Sequence, residues 1–200
     1  MPKPDYDTQN AESAKGVLVV LTVTSLLVAF PHIVNTRSGA APFATSPWGA
    51  RDSALFCLYV IAALAVGCLC GLLCGDPGIV LRSEENSLPI PPTVQARLAA
   101  RQSLDGMQNV RAKGGQVYCV RCCIWRPAGR DDIHHCSICQ RCVRYHDHHC
   151  GVYGRCIAGK DTTFFTAGNM RYYVGIWVCL AGGVLASIIA AATSPPPARS

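Results

Sequence analysis

The sequence predicts an all-α, multi-pass membrane protein whose three spans flank a compact cysteine-rich module. Three observations carry this prediction. Gly16–Val34, Ser53–Gly75 and Tyr172–Ser194 contain no Asp, Glu, Lys or Arg. At about 1.5 Å per helical residue, each is long enough to cross a hydrocarbon core of about 30 Å. Half of the residues are apolar, 15% are charged and the mean hydropathy is +0.23, which is too apolar for an ordinary soluble domain. Finally, eight of the thirteen cysteines and five of the six histidines lie between residues 119 and 156.

In chain order, residues 1–15 are polar and mixed in charge, which predicts a short mobile tail. They lack the basic start, short apolar core and small-residue cleavage site of a secretory signal. The first span, about 16–34, carries Pro31 and His32 near its far end, where the membrane interface tolerates them. His32 is expected to be an interfacial residue with no special role. Residues 35–52 form a short loop rich in Gly, Pro and Ser, so the second span, about 53–75, completes a helical hairpin over 16–75. Its Cys57, Cys68, Cys70 and Cys74 are expected to act as small apolar residues. Asp76-Pro77-Gly78 stops the second helix: Pro ends it, Gly permits the turn and Asp bonds the released amides.

Residues 76–117 are expected to be a polar linker with a short helix near 93–104. The cysteine-rich domain is placed at 118–165. The third span, 172–194, opens with Tyr172, Tyr173 and Trp177, as an aromatic belt does, and the tail 195–200 is too short for another span. Thirteen of the eighteen Lys and Arg fall between residues 76 and 171. The positive-inside rule therefore places the module in the cytosol, with the N-terminus on the same side and the C-terminus on the other.

The formal net charge of +6 fits either nucleic acid or an anionic lipid surface. Nucleic acid is disfavoured, because such a reader needs no spans and the module has no basic helix of the C2H2 type. With no secretory signal, ligand-spaced cysteines point to a reducing compartment and a metal rather than to disulfides.

Cys119-x2-Cys122 and Cys136-x2-Cys139 have the spacing at which one tight turn aims two sulfurs at one ion. With His135, Cys142, His149 and Cys156 they supply eight ligands for two closed tetrahedral zinc sites. Closed sites are scaffolding rather than Lewis acids, and a module with so few apolar residues is expected to fold only with its metal. Asp147, His148 and Cys150 remain. A cysteine attacks as thiolate, an imidazole can take its proton and a carboxylate can fix that imidazole's tautomer. The same residues also admit a plainer reading, with Asp147 and His148 as surface groups and Cys150 as an alternative zinc ligand.

These residues resemble the DHHC-type protein S-acyltransferases, or palmitoyltransferases. The resemblance covers about residues 16–194. It rests on Asp76-Pro77-Gly78, Tyr118-Cys119-x2-Cys122, Arg126-Pro127, His135-Cys136-Ser137-x-Cys139-x2-Cys142-Val143, Asp147-His148-His149-Cys150 and Cys156. It implies one zinc on Cys119, Cys122, His135 and Cys142, and a second on Cys136, Cys139, His149 and Cys156. It makes Cys150 the nucleophile, His148 its base and Asp147 the group that orients the base. Cys123 is an extra thiol beside a ligand. The implied reaction moves a palmitoyl-type chain from acyl-coenzyme A (acyl-CoA) to Cys150, and then to membrane-proximal cysteines of client proteins. The implied setting is an endomembrane (Golgi or ER) or the plasma membrane.

The chain also departs from the family pattern. Members usually have four spans and a Thr-Thr-x-Glu motif after the last. Here there is room for three spans, and Thr162-Thr163 lies elsewhere. A Pro-Trp-Val-Asn-Asn run usually follows the nucleophile, where this chain has Gly151-Val152-Tyr153-Gly154-Arg155, and a later Asn is replaced by Asp161. These differences define the alternative, a zinc-bearing membrane scaffold with impaired catalysis or a truncated fragment of such an enzyme.

Overall fold

The structure, a computed structural model, describes residues 3–37, 48–126, 133–160 and 168–193. Pro127, Asp161, the Thr162-Thr163 pair and the tail 195–200 lie outside the described residues. In chain order the elements are α1 (Tyr6–Arg37), α2 (Ala50–Cys74), α3 (Glu84–Ser87), α4 (Pro92–Ala99), β1 (Val110–Arg111), β2 (Val117–Cys119), β3 (Ile124–Arg126), β4 (His134–Cys136), β5 (Arg141–Val143), β6 (His146–Cys150), β7 (Arg155–Ala158) and α5 (Met170–Ala192). The all-α expectation is therefore corrected. Strands of two to five residues are too short to show an alternating pattern in sequence, and thiol and imidazole side chains fill many of their positions.

The chain forms two compact units, Ala14–Gly75 with Arg171–Ser200, and Met1–Ser13 with Asp76–Met170. In the first, α1, α2 and α5 are each long and apolar enough to cross a membrane. Their contacts are close. A Cβ built on Gly71 would lie 2.5 Å from the Tyr172 ring, so only glycine leaves room for that aromatic. Ser187 Oγ donates to the Leu27 carbonyl at 2.8 Å, and His32 Nε2 lies 2.6 Å from the Tyr59 hydroxyl. Leu55, Leu58, Leu72 and Ile176 are buried, whereas Leu18, Leu26, Phe56, Leu64, Val178 and Leu185 are exposed. Gly75 closes α2 by donating to the Gly71 carbonyl at 2.9 Å.

The second unit starts at both ends of its sequence. Asp76 Oδ1 accepts from the amides of Gly78 and Ile79, each at 2.9 Å, as the Asp-Pro-Gly turn predicts. The stretch expected as a polar linker belongs to the core. Val80 packs with Ile124, Ile133 and the first cysteines, and Val94 with Tyr118 and Val120. Pro92 occupies the first turn of α4, where its missing N–H is harmless. The strands form an antiparallel β1-β2-β3 sheet and two hairpins, β4-β5 and β6-β7. Residues 6–15, expected to be mobile, are the first turns of α1. Asp5 caps them, its carboxylate accepting from the Thr8 amide at 3.0 Å and hydroxyl at 2.8 Å. Those two bonds, the amide first, hold the Asp5 carboxyl below its ordinary range.

Candidate functional site

Each half of the cysteine-rich module combines a tight turn with a cross-strand pair. Cys119 and Cys122 lie at the β2–β3 turn, and Cys136 and Cys139 at the β4–β5 turn. The residue after each second cysteine, Cys123 (φ 53°) and Gln140 (φ 51°), takes the left-handed conformation that folds the turn back on itself. The Cys139 amide donates to Cys136 Sγ at 3.3 Å. In the ladders His135 pairs with Cys142 and His149 with Cys156. Directly paired residues point to the same face, so each pair presents one imidazole and one thiol together.

These parts converge on two four-residue clusters, Cys119–Cys122–His135–Cys142 and Cys136–Cys139–His149–Cys156, with ligand atoms within 4.8 Å of one another. His135 Nδ1 lies 3.7 and 3.1 Å from the sulfurs of Cys119 and Cys122. His149 Nδ1 lies 3.5 and 3.4 Å from those of Cys136 and Cys139. A tetrahedron with Zn–S arms of about 2.3 Å and a Zn–N arm of about 2.0 Å has edges of about 3.5 to 3.8 Å. The clusters fit two zinc ions. The hairpin β4-β5 contributes to both, giving His135 and Cys142 to one and Cys136 and Cys139 to the other.

Without a cation the sulfurs compete for protons. Hydrogen bonding from Cys122 holds the Cys119 thiol far below its usual range, and bonding to Cys119 pushes Cys142 up to about 11. In the other cluster bonding from Cys139 lowers Cys136, and Cys139 itself is raised to about 11. Three thiols cannot ionise together here until a positive charge sits among them. Arg126 adds one from outside, its Nη2 donating to Cys142 Sγ at 3.5 Å.

Two cysteines of the module stay outside the clusters. Cys123 Sγ donates to the Val120 carbonyl at 3.4 Å. Cys150 is buried at the end of β6, and its carbonyl accepts from the amides of Tyr153 and Gly154 at 3.2 and 2.9 Å. Along a strand successive side chains alternate, so His148 and Cys150 share one face of β6 and His149 takes the other. Asp147 Oδ2 lies 2.7 Å from His148 Nδ1, in a pair open to solvent.

The DHHC palmitoyltransferase family model matches residues 112–194. Over that stretch the chain is similar to this family. Similar proteins include mouse palmitoyltransferase ZDHHC7, 29% identical over 156 residues, covering 76% of this chain and 43% of the relative. Zebrafish palmitoyltransferase ZDHHC3-A is 28% identical over 132 residues, covering 65% and 35%. Human palmitoyltransferase ZDHHC3 is 31% identical over 90 residues, covering 44% and 23%. The chain spans less than half the length of these curated DHHC relatives.

Sequence reasoning did not find Glu12. Its Oε2 lies 3.0 Å from His149 Nε2, on the far side of the ring from the cluster. The available signal was Asp5 three residues before Thr8, a helix start that carries the polar segment into ordered structure.

Proposed function

We propose that this chain is a protein S-acyltransferase that moves a long-chain acyl group, such as palmitoyl, from acyl-CoA to cysteines of client proteins through an acyl-Cys150 intermediate. The observation that carries the reading is Cys150 itself. It lies outside both four-ligand clusters, on the face of β6 shared with His148, whose Nδ1 is held by Asp147. The similarity to the DHHC palmitoyltransferase family and to palmitoyltransferases such as ZDHHC7 supports the same reaction class.

The Asp147–His148 contact and the shared face of β6 support one assignment of roles. Asp147 holds the proton on Nδ1 of His148, which leaves the Nε2 lone pair available to take a proton. Nε2 takes the Cys150 proton as its sulfur attacks the acyl-CoA carbonyl carbon. The C–S bond to coenzyme A breaks, and the departing thiolate takes up a proton. A client thiol, deprotonated by the same imidazole, then attacks the acyl-Cys150 thioester and restores the Cys150 thiol. One thioester is exchanged for another, so no nucleotide is consumed. The two Cys3His clusters would hold zinc as scaffolding that fixes β6 in place.

We place α1, α2 and α5 across a membrane, with the module in the cytosol at its surface. The exposed Leu, Phe and Val of the three helices suit lipid, and each methylene kept out of water contributes about 0.8 kcal/mol. A palmitoyl tail therefore stays in the bilayer while its thioester reacts at the surface.

The deciding experiment incubates purified, zinc-loaded protein in lipid with labelled palmitoyl-CoA. Hydroxylamine-sensitive label that is lost in Cys150→Ser supports the enzyme. A folded protein with two zinc ions and no label would instead be a zinc-bearing scaffold.

A further inference from the structure

With Nδ1 of His149 turned to the second cluster, the ring proton sits on Nε2 and needs an acceptor. Glu12 Oε2 is there at 3.0 Å, and both side chains are nearly buried, 11% and 16% exposed. A histidine ligand is held in place by the group that accepts its other ring proton, and a carboxylate also raises its basicity. Glu12 does not approach alone. Asp5, Gln9, Glu12 and Ser13 recur at the spacing of one helix face. The Asp5 amide and Gln9 Nε2 both donate to the carbonyl of Ile138, at 3.1 and 3.3 Å, and Ile138 lies between Cys136 and Cys139. Ser13 Oγ donates to the Tyr153 carbonyl at 2.9 Å.

The partner surface is shaped to receive this segment. A Cβ on Gly154 (φ 64°) would collide with the Gln9 carbonyl, and one on Gly151 would lie 3.3 Å from Glu12 Oε1. Both glycines belong to the run that departs from the family pattern after Cys150. The first cluster has no equivalent support: His135 Nε2 is buried without a hydrogen-bond partner among the described residues.

We infer that Glu12 is a positioning residue for His149, and that Asp5–Ser13 is a structural part of the second metal centre. The two ions are then held unequally, and Glu12 governs one of them.

The test uses the full chain in lipid or detergent, loaded with two zinc ions and challenged with a chelator while a metal-sensitive dye follows release. Glu12→Ala is expected to release one equivalent about 10- to 100-fold faster and the other at the original rate. Glu12→Gln, whose amide oxygen still accepts from Nε2, is expected to restore most of the difference. Asp7→Asn removes a charge from the same helix without touching the ring and is expected to change nothing. In protein with ¹⁵N-labelled histidine, the His149 Nε2–H resonance should be protected from exchange, and that protection should be lost in Glu12→Ala. Gly154→Val, which blocks the docking, should accelerate the same single equivalent. Release of both equivalents at the original rate in Glu12→Ala would overturn the inference. So would equal acceleration of both, or an unchanged His149 N–H resonance.

Discussion

His149 pairs with Cys156 across the β6-β7 ladder, and both belong to the second Cys3His cluster. The next rung joins Cys150 to Arg155. Because strand side chains alternate, one step along β6 moves from a ligand position to one facing away from the cluster.

That step separates two kinds of cysteine variant. Cys150→Ser is expected to keep two zinc ions per chain and the wild-type melting temperature while losing all acyl label. Cys156→Ser is expected to lose one ion and to melt well below wild type. Metal analysis and thermal unfolding of the two proteins side by side check this.

The Asp147–His148 pair predicts a graded loss of rate. Removing the imidazole with His148→Ala is expected to slow formation of acyl-Cys150 by about 10²- to 10⁴-fold, the usual contribution of a positioned base. Asp147→Asn is expected to slow it as well, because the amide can hold the ring in the wrong tautomer. Single-turnover labelling with the zinc content held at two measures both.

Cys123 and Gln140 occupy equivalent left-handed positions after the two turns. Cys123→Gly is expected to retain two zinc ions, because the position requires a left-handed backbone rather than a thiol and glycine adopts it without strain. A stoichiometry of one would make Cys123 a ligand.

His146 stacks on His134 with ring centroids 4.8 Å apart. Burial, and then the His134 charge, lower its affinity for a proton, although Cys136 and Asp147 act in the opposite direction. The unfolded chain therefore takes up this proton first. The stability that comes from keeping His146 neutral is complete above the unfolded value of about 6.5 and is lost as pH falls from there through the lower folded value. NMR titration should place the His146 midpoint below 6.5, and His134→Gln should raise it.

Much of the metal site was legible because zinc constrains sequence tightly. A turn that presents two sulfurs allows few spacings, so Cys119, Cys122, Cys136 and Cys139 stand out, and the three apolar stretches are marked by composition alone. Other features were hidden because their causes are not local. Ile124–Arg126 and Arg155–Ala158 pair through backbone hydrogen bonds that leave no alternating pattern in three or four residues. Val80 and Val94 look like isolated valines in a polar segment until the module closes over them. Glu12 lies 137 positions from His149, and nothing between them marks the pair. Gly151 and Gly154 register in sequence only as a mismatch; in the structure a helix approaches too closely for a side chain at Gly154, and the Glu12 carboxylate lies tight against Gly151.

The middle hairpin, β4-β5, answers to two ions at once. Whichever ion arrives first fixes the strand register that sets half of the other's ligands, so the second arrives at a site already half assembled. That register then outlasts the loss of either ion alone, so a chain stripped of one should keep its hairpin paired and unravel only when both are gone.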